Sequence, residues 1–187
     1  FGPKDHSTTF AALTDAESVP ATLQGLGGVG KSVLAKQYAW LHQDRFAGIW
    51  WLRAETVETL DEDLLALGTR FIAGIDTDPD RERAIQTVLE ELVRQGSADA
   101  DKPWLLIYDN VEQPSYIKHR LPRQGVHLLI TSRWTDWHPF AMELPIDTFP
   151  PETAITYLLE RAHEEDKDSA ATLAAELGYL PLALEHA

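Results

Sequence analysis

The segment from Gly25 to Ser32 reads GLGGVGKS, which has the residue spacing of a phosphate-binding loop. Residues 19–24 before it are apolar and β-branched, and residues 32–41 after it carry apolar side chains at helical spacing. Such a loop requires a strand before it and a helix after it, because its backbone N–H groups and the helix N-terminus surround the phosphates. The sequence therefore predicts a nucleoside phosphate site in an α/β fold.

Two side chains of this loop carry distinct chemistry. We expect Lys31 to reach the β- and γ-phosphates and the Ser32 hydroxyl to bind Mg²⁺. The alternative, a glycine-rich turn with an incidental Lys-Ser pair, is disfavoured by the flanking strand and helix. The residues predicted to contact the nucleotide are Gly25, Gly27, Gly28, Val29, Gly30, Lys31, Ser32 and Val33.

Strand and helix signals alternate through the first three quarters of the chain. After the first helix, strands are predicted at residues 48–53, 104–108 and 127–131, with a short fifth strand at 141–144. Helices are predicted from a cap at Thr56 to about Phe71, and over residues 81–94, with Ile85, Val88, Leu89, Leu92 and Val93 buried. Apolar runs without alternation indicate a parallel sheet covered by helices on both faces. Right-handed crossovers would place the glycine loop, Asp109 and Arg133 on one edge of that sheet.

Beyond Pro145 only helices are predicted, at about residues 150–163, at 168–177, and from Pro181 to the last residue, Ala187. We therefore expect a nucleotide-binding domain over residues 1–147 and a helical subdomain over residues 148–187. Because the last predicted helix is still running at Ala187, we expect this subdomain to be truncated and the chain to be part of a longer protein.

Asp109 ends the apolar strand Trp104–Tyr108, as the acid of a second phosphate-site motif would. Such an aspartate would share Mg²⁺ with Ser32, and the alternative is a capping or turn residue. The next residue is Asn110, where fast hydrolases often place a second acid. An amide cannot take a proton from water, and Glu112 is near only in sequence. Hydrolysis is therefore expected to be slow, or to depend on a base that the sequence does not identify.

Arg133 follows the predicted fourth strand as part of Ile130-Thr131-Ser132-Arg133. Its guanidinium could sense the γ-phosphate and stabilise charge during transfer. The alternative is a salt bridge with a nearby acid such as Asp136. The candidate catalytic residues are thus Lys31, Asp109 and Arg133, and the candidate metal ligands are Ser32 and Asp109.

Composition excludes several classes of function. The chain has no cysteine, so disulfides and thiolate chemistry are excluded. Its 16 basic and 30 acidic residues give a net charge of −14, which disfavours direct binding to nucleic acid or anionic lipid. No apolar run has the length of a membrane span, so we expect a cytoplasmic protein. No guanine-reading tetrapeptide of the [N/T]-K-x-D type occurs, which favours adenine as the base.

In their order along the chain, these motifs resemble those of the NB-ARC domain of STAND signalling ATPases, an NLR-like class. Gly25–Ser32 is similar to the phosphate loop of that family, Trp104–Val111 to its Walker B strand, and Leu129–Arg133 to its sensor strand. Leu177–Leu184 is similar to the G-L-P-L-A motif of its helical ARC1 subdomain, and Trp50–Glu55 resembles bacterial members with tetratricopeptide repeats.

The resemblance implies a P-loop NTPase fold in which the sensor strand separates the Walker B strand from the phosphate-loop strand. It implies that ADP is held between this core and the helical subdomain, with Pro181 near the adenine. Exchange for ATP and Mg²⁺ would then open the protein and drive homo-oligomerisation, with only weak ATPase activity. Effector and sensor domains would flank this segment. Phe1–Asp5 matches the family's N-terminal adenine-contacting motif only loosely.

Two other functions fit the phosphate loop. A turnover ATPase of the AAA+ remodeller or loader type would want an acid at position 110 and a second sensor arginine, for which Arg161 is the only obvious candidate. A small-molecule kinase would need an arginine-rich lid and a base for its acceptor, and neither is recognisable. The nucleotide-gated switch therefore fits best.

Overall fold

A computed structural model describes residues 20–98, 102–122 and 124–187. The strands and helices are, in chain order, β1 (Ala21–Gln24), α1 (Lys31–Leu41), β2 (Gly48–Arg53), α2 (Val57–Gly68), α3 (Arg81–Ala98), β3 (Trp104–Val111), α4 (Pro114–Ile117), β4 (Val126–Ser132), β5 (Met142–Pro145), α5 (Pro151–Ala162), α6 (Lys167–Glu176) and α7 (Pro181–Glu185). Short 3₁₀ turns lie at Gln43–Arg45 and Ile75–Thr77.

The five strands form one sheet in the order β2-β3-β4-β1-β5, and every pairing is parallel. The sheet is flanked by helices, and a small helical segment follows it, which confirms the predicted P-loop NTPase-like α/β fold. β4 lies between β1 and β3, as the resemblance implied. The carboxyl ends of β1, β3 and β4 therefore lie side by side.

Helices cover both faces of the sheet and enclose two separate cores. On one face, α2 and α3 pack their leucines, isoleucine and valine against β3 and β4, around the fully buried Trp137. On the other face, α1 packs Leu34 and Tyr38 against β1. A third cluster belongs to the last three helices and contains Ala154, Leu158, Ala170, Ala174 and Leu184.

The helix that follows β2 begins as the sequence predicts. The Thr56 side chain accepts the Thr59 N–H, and the Thr59 hydroxyl accepts the Thr56 N–H, which together form a capping box. The helix ends at Gly68 rather than near Phe71, because the N–H groups of Phe71 and Ile72 both donate to the Gly68 carbonyl and close the chain into a turn. The cap prediction is confirmed and the predicted end is wrong.

Three other boundaries and one predicted burial differ from the expectation. α3 extends to Ala98 instead of Arg94, and Val93 is only half-buried. β3 continues past Asp109 because a register shift lets Val111 pair with Ser132. The last helix ends at Glu185 and does not continue to Ala187, since the His186 N–H closes a turn onto Ala183.

A largely buried ion pair connects three elements of the first core. Arg120 donates from Nε to Asp61 of α2 at 2.8 Å and from a terminal nitrogen to Glu82 of α3 at 2.9 Å. The Tyr108 hydroxyl of β3 donates to the Arg120 carbonyl oxygen at 2.8 Å. Asp61 and Arg120 thus tie α2, α3 and β3 together behind the sheet edge. None of the helices in the described ranges is long and apolar enough to cross a membrane.

Candidate functional site

The phosphate loop joins β1 to α1 at the carboxyl edge of the sheet. Gly28 has a φ of +85°, in the left-handed region that favours glycine. A Cβ on Gly25 would collide with the carbonyl oxygen of Ile146, so the chain that follows β5 passes directly against the loop. Glycine is therefore required at these two positions by the backbone conformation and by the neighbouring chain. Gly30 is the N-cap of α1.

Lys31 is folded onto the loop that precedes it. Its ammonium group donates to the carbonyl oxygens of Gly25 and Leu26, both at 2.8 Å, and the residue is 8% exposed. Burial lowers the pKa of Lys31, the positive charge of Arg133 lowers it further, and Asp109 opposes both. Two cations thus face one glycine loop at the start of a helix, an arrangement in which a bound polyphosphate would relieve their repulsion.

Three oxygen groups from different elements meet beside the loop. The Ser32 hydroxyl of α1 donates to Asp109 Oδ1 at 2.7 Å, and the Thr131 hydroxyl of β4 donates to the same oxygen at 2.6 Å. Hydroxyl and carboxylate oxygens are the ligands that Mg²⁺ prefers. The two predicted metal ligands are therefore adjacent, and their chemistry fits that ion. The described residues contain no cluster of three or more His, Asp or Glu able to hold a metal by themselves.

Arg133 lies against the loop from the β4 side. A Cβ on Gly27 would be 3.2 Å from Cζ and from Nη2 of Arg133, so the guanidinium covers the backbone of that glycine. The absence of a side chain at Gly27 makes this approach possible. Among the described residues no salt bridge joins Arg133 to Asp136, and the part of Arg133 in sensing a phosphate stays a prediction.

The helical segment also contacts the loop. The Leu182 N–H, in the first turn of α7, donates to the Gly28 carbonyl oxygen at 3.1 Å. The Leu182 Cβ lies 3.3 Å from the position that a Cβ on Gly28 would occupy. Pro181 is buried at the start of this helix, one residue from the contact. The predicted adenine-side residue is thus close in the chain to a direct contact with the phosphate loop.

The remaining predicted residues have simpler surroundings. The Val29 side chain is buried, at 5% exposed, whereas Val33 lies on the surface, at 51% exposed. Arg161, the candidate second sensor, is paired with Glu185 within the helical segment at 3.0 Å. The N-terminal segment Phe1–Asp5 lies outside the described residues.

Three residues of this region were not predicted from the sequence. Thr131 could have been noticed as a hydroxyl residue inside a buried apolar strand. Glu55 and Leu182 lie within stretches that carry the resemblance, but neither was given a role. Each reaches the site only through parallel strand pairing or through packing of the helical segment. Asn110 was noticed, but not its contact with Glu55, to which its side-chain amide donates at 3.1 Å.

No protein-family model and no curated protein matches this chain. Among solved structures it is similar to a Signal Transduction ATPase with Numerous Domains (STAND) protein with a tetratricopeptide repeat sensor from Pyrococcus horikoshii. That match has a TM-score of 0.60 at 14% identity and covers 98% of this chain and 29% of that chain. The chain is also similar to Drosophila ORC bound to DNA, with a TM-score of 0.57 at 17% identity, over 86% of this chain and 47% of that chain.

At these identities the similarity shows the fold alone. Both matches support a P-loop NTPase-like arrangement of sheet and helices, in agreement with the strand order described above. The chain spans less than half the length of either matched protein.

Proposed function

We propose that this chain is the adenine-nucleotide switch module of a STAND-class signalling ATPase with NB-ARC organisation. In this proposal residues 1–147 form the nucleotide-binding domain and residues 148–187 an ARC1-like helical subdomain. ADP is held in the resting state, and its exchange for ATP with Mg²⁺ drives opening and homo-oligomerisation, with slow hydrolysis. The likeness to the Pyrococcus STAND structure supports this class, and the tetratricopeptide repeat sensor named for that protein supports a flanking sensor domain here. A flanking effector domain is part of the same proposal.

The observation that carries the proposal is the double contact on the phosphate loop. Arg133 from the sheet covers Gly27, and the Leu182 N–H from the helical segment bonds to Gly28. Consecutive loop residues are thus held by the two parts that must separate if the protein opens. A ligand that changes the loop backbone therefore acts on the contact between those parts, which is what a nucleotide-controlled switch requires.

The same residues fit the nucleotide and the ion. Ser32 and Asp109 would hold Mg²⁺, which supplies charge neutralisation at the phosphates. Lys31 and Arg133 bring two positive charges to the loop, and Pro181 is proposed to lie against the adenine. Because the chain carries a net charge of −14, we propose no direct nucleic-acid partner for this segment.

The likeness to ORC favours one alternative, a turnover ATPase of the AAA+ remodeller or loader type. The two functions differ in rate: a switch retains its nucleotide and turns over slowly, whereas a remodeller releases product in every cycle. Asn110 at the position of the expected second acid favours the switch.

The test is to denature the purified protein, identify the nucleotide that it releases, and measure steady-state turnover of added ATP. Lys31→Ala is compared with Lys36→Ala. Lys36 lies in the same helix, but its ammonium group lies over the Trp51 ring, 5.2 Å from the ring centroid, so this control removes a lysine without touching the loop. We expect one ADP per chain in the wild type and in Lys36→Ala, and none in Lys31→Ala.

Turnover of many ATP molecules per minute without retained nucleotide would replace the switch with the turnover ATPase. Release of GDP would contradict the choice of adenine. Equal ADP in the two lysine variants would contradict the location of the site at the phosphate loop.

A further inference from the structure

The carboxyl end of β3 contains a bulge. The pairing of β3 with β4 shifts register between Tyr108 and Val111, so Asp109 and Asn110 together oppose the single residue Thr131. Asn110 has a φ of +63°, in the left-handed region. A bulge of this kind redirects the side chains at a strand end and is often found beside active sites. Here it gives Asn110 an orientation that regular strand alternation would not.

The redirected Asn110 side chain contacts Glu55. Its Nδ2 donates to Glu55 Oε1 at 3.1 Å, while its backbone N–H donates to the Thr131 hydroxyl at 2.8 Å. That hydroxyl in turn donates to Asp109. A carboxylate from the end of β2 is therefore held beside the Asp109 cluster, next to the position where the sequence lacks a second acid.

The backbone around Glu55 is fixed on both sides. The Ala54 N–H donates to the Asp109 carbonyl oxygen at 2.9 Å, and Thr56 caps α2. Arg53 is bound to Asp63 through its guanidinium, at 2.7 Å, and through its backbone N–H, at 2.8 Å. Glu55 itself is exposed and makes no ion pair with the described residues. Its carboxylate is thus positioned by Asn110 without a direct ion pair, and the charge of Arg53, whose guanidinium is bound to Asp63, acts on it only at longer range.

We propose that Glu55 is the general base for ATP hydrolysis in this chain and that Asn110 is its positioning residue. This inference rests on the proposed function and supplies the base that position 110 does not. Glu55 accepts a proton from water as the water oxygen bonds to the γ-phosphorus. The bond from that phosphorus to the β–γ bridging oxygen breaks, and its electron pair leaves with ADP. The products are ADP and inorganic phosphate, and the proton on Glu55 passes to solvent.

The experiment separates nucleotide binding from the chemical step. Equilibrium binding of ATP and single-turnover hydrolysis are measured for the wild type and for Glu55→Gln, Glu58→Gln and Glu112→Gln. Glu58 is an exposed acid in the first turn of α2 and Glu112 an exposed acid at the end of β3, so both controls lose the same charge nearby. We expect Glu55→Gln to slow hydrolysis by about 10²-fold or more with unchanged ATP affinity, and the two controls to hydrolyse normally.

Two further variants test the contact itself. Asn110→Gly keeps the left-handed backbone but removes the carboxamide, and it should lower the hydrolysis rate less than Glu55→Gln does. Adding Asn110→Asp to Glu55→Gln exchanges the acid and the amide between the two positions. We expect this double variant to recover at least about tenfold in rate over Glu55→Gln alone, which a purely structural role would not produce.

Normal hydrolysis by Glu55→Gln would overturn the assignment, as would loss of hydrolysis in Glu112→Gln instead. Binding of ATP by the wild type with no hydrolysis in a single-turnover experiment would also overturn it and leave the switch proposal standing. Failure of the wild type to bind ATP after its retained nucleotide has been removed would overturn both.

Discussion

The Leu182 backbone N–H lies 3.1 Å from the Gly28 carbonyl oxygen, which joins the last helix of the chain to the phosphate loop through backbone atoms alone. The two segments pack closely: a Cβ built on Gly28 would lie only 3.3 Å from the Leu182 Cβ. A methyl group at Gly28 would therefore press on Leu182 and alter the loop at the same time.

Gly28→Ala should weaken nucleotide binding and lower stability by about 1–2 kcal/mol, because alanine disfavours a φ of +85°. Gly74→Ala is the matched control: its φ is +74°, and a Cβ there has only Thr77 Oγ1 nearby, at 3.7 Å. Both variants lose stability, and only Gly28→Ala loses affinity, as measured by urea unfolding and ADP titration. Equal affinities in the two variants would contradict a role for the Gly28–Leu182 contact.

The same substitution should have opposite effects at two buried threonines. Thr131→Val leaves the Asn110 N–H without its acceptor, and we expect a loss of about 1–3 kcal/mol. Thr22 is fully buried, and its hydroxyl has no partner in the described part of the chain, so Thr22→Val should stabilise the protein by about 1 kcal/mol. Thermal unfolding of both variants checks the two signs, and destabilisation by Thr22→Val would refute the second.

The Asp61–Arg120 pair is expected to be costly to break. Arg120→Met leaves the Asp61 carboxylate, whose residue is 6% exposed, without its main partner, and should destabilise by about 3 kcal/mol. Arg83→Met removes the exposed pair with Asp78 and should cost less than about 1 kcal/mol. Urea unfolding midpoints measure the loss of stability in both variants. Similar losses would mean that burial of the ion pair does not determine the cost of breaking it.

Asp63 should make stability depend on pH. Burial acts to raise the pKa of Asp63, but the hydrogen bonds from the Arg53 guanidinium and N–H outweigh it and hold the pKa below its ordinary value. Between the lowered pKa of the folded protein and the ordinary pKa of the unfolded chain, the folded protein therefore binds fewer protons. The stabilisation by the Asp63 carboxylate is present above the ordinary pKa and is lost as the pH falls through the lowered pKa.

Asp63→Asn should therefore be less stable than the wild type at neutral pH, and the difference should shrink in acid. Urea unfolding over a series of pH values measures it. Arg53→Met removes the other partner and should show the same trend. A difference that stays constant down to strongly acidic pH would show that the carboxylate charge is not its source.

The parts of the structure that depend on nearby residues could be predicted from the sequence. β2 spans Gly48–Arg53 and Thr56 caps α2, both as predicted, because an apolar run and a capping threonine act within a few residues. The convergence of Lys31, Ser32, Asp109 and Arg133 followed from parallel strand geometry. Their roles in binding nucleotide stay predictions.

The contacts that complete the candidate site could not be predicted in this way. Asn110 meets Glu55 because one extra residue bulges out of β3, and no local pattern distinguishes that bulge from the end of the strand. Leu182 meets Gly28 because of how the last helices pack against the sheet edge. Each contact depends on a tertiary arrangement, whereas the motifs specify only the backbone around themselves.

Three consecutive residues at the end of β4 each hold a different part of the site. Thr131 bonds to Asp109, the Ser132 hydroxyl donates to the Val111 carbonyl, and Arg133 covers Gly27. Because the three residues are consecutive, the three contacts are joined directly through the backbone at the end of one strand. If a phosphate group binds in front of Arg133 as proposed, its loss would act on the carboxylate of Asp109 and on the end of β3 through three adjacent residues.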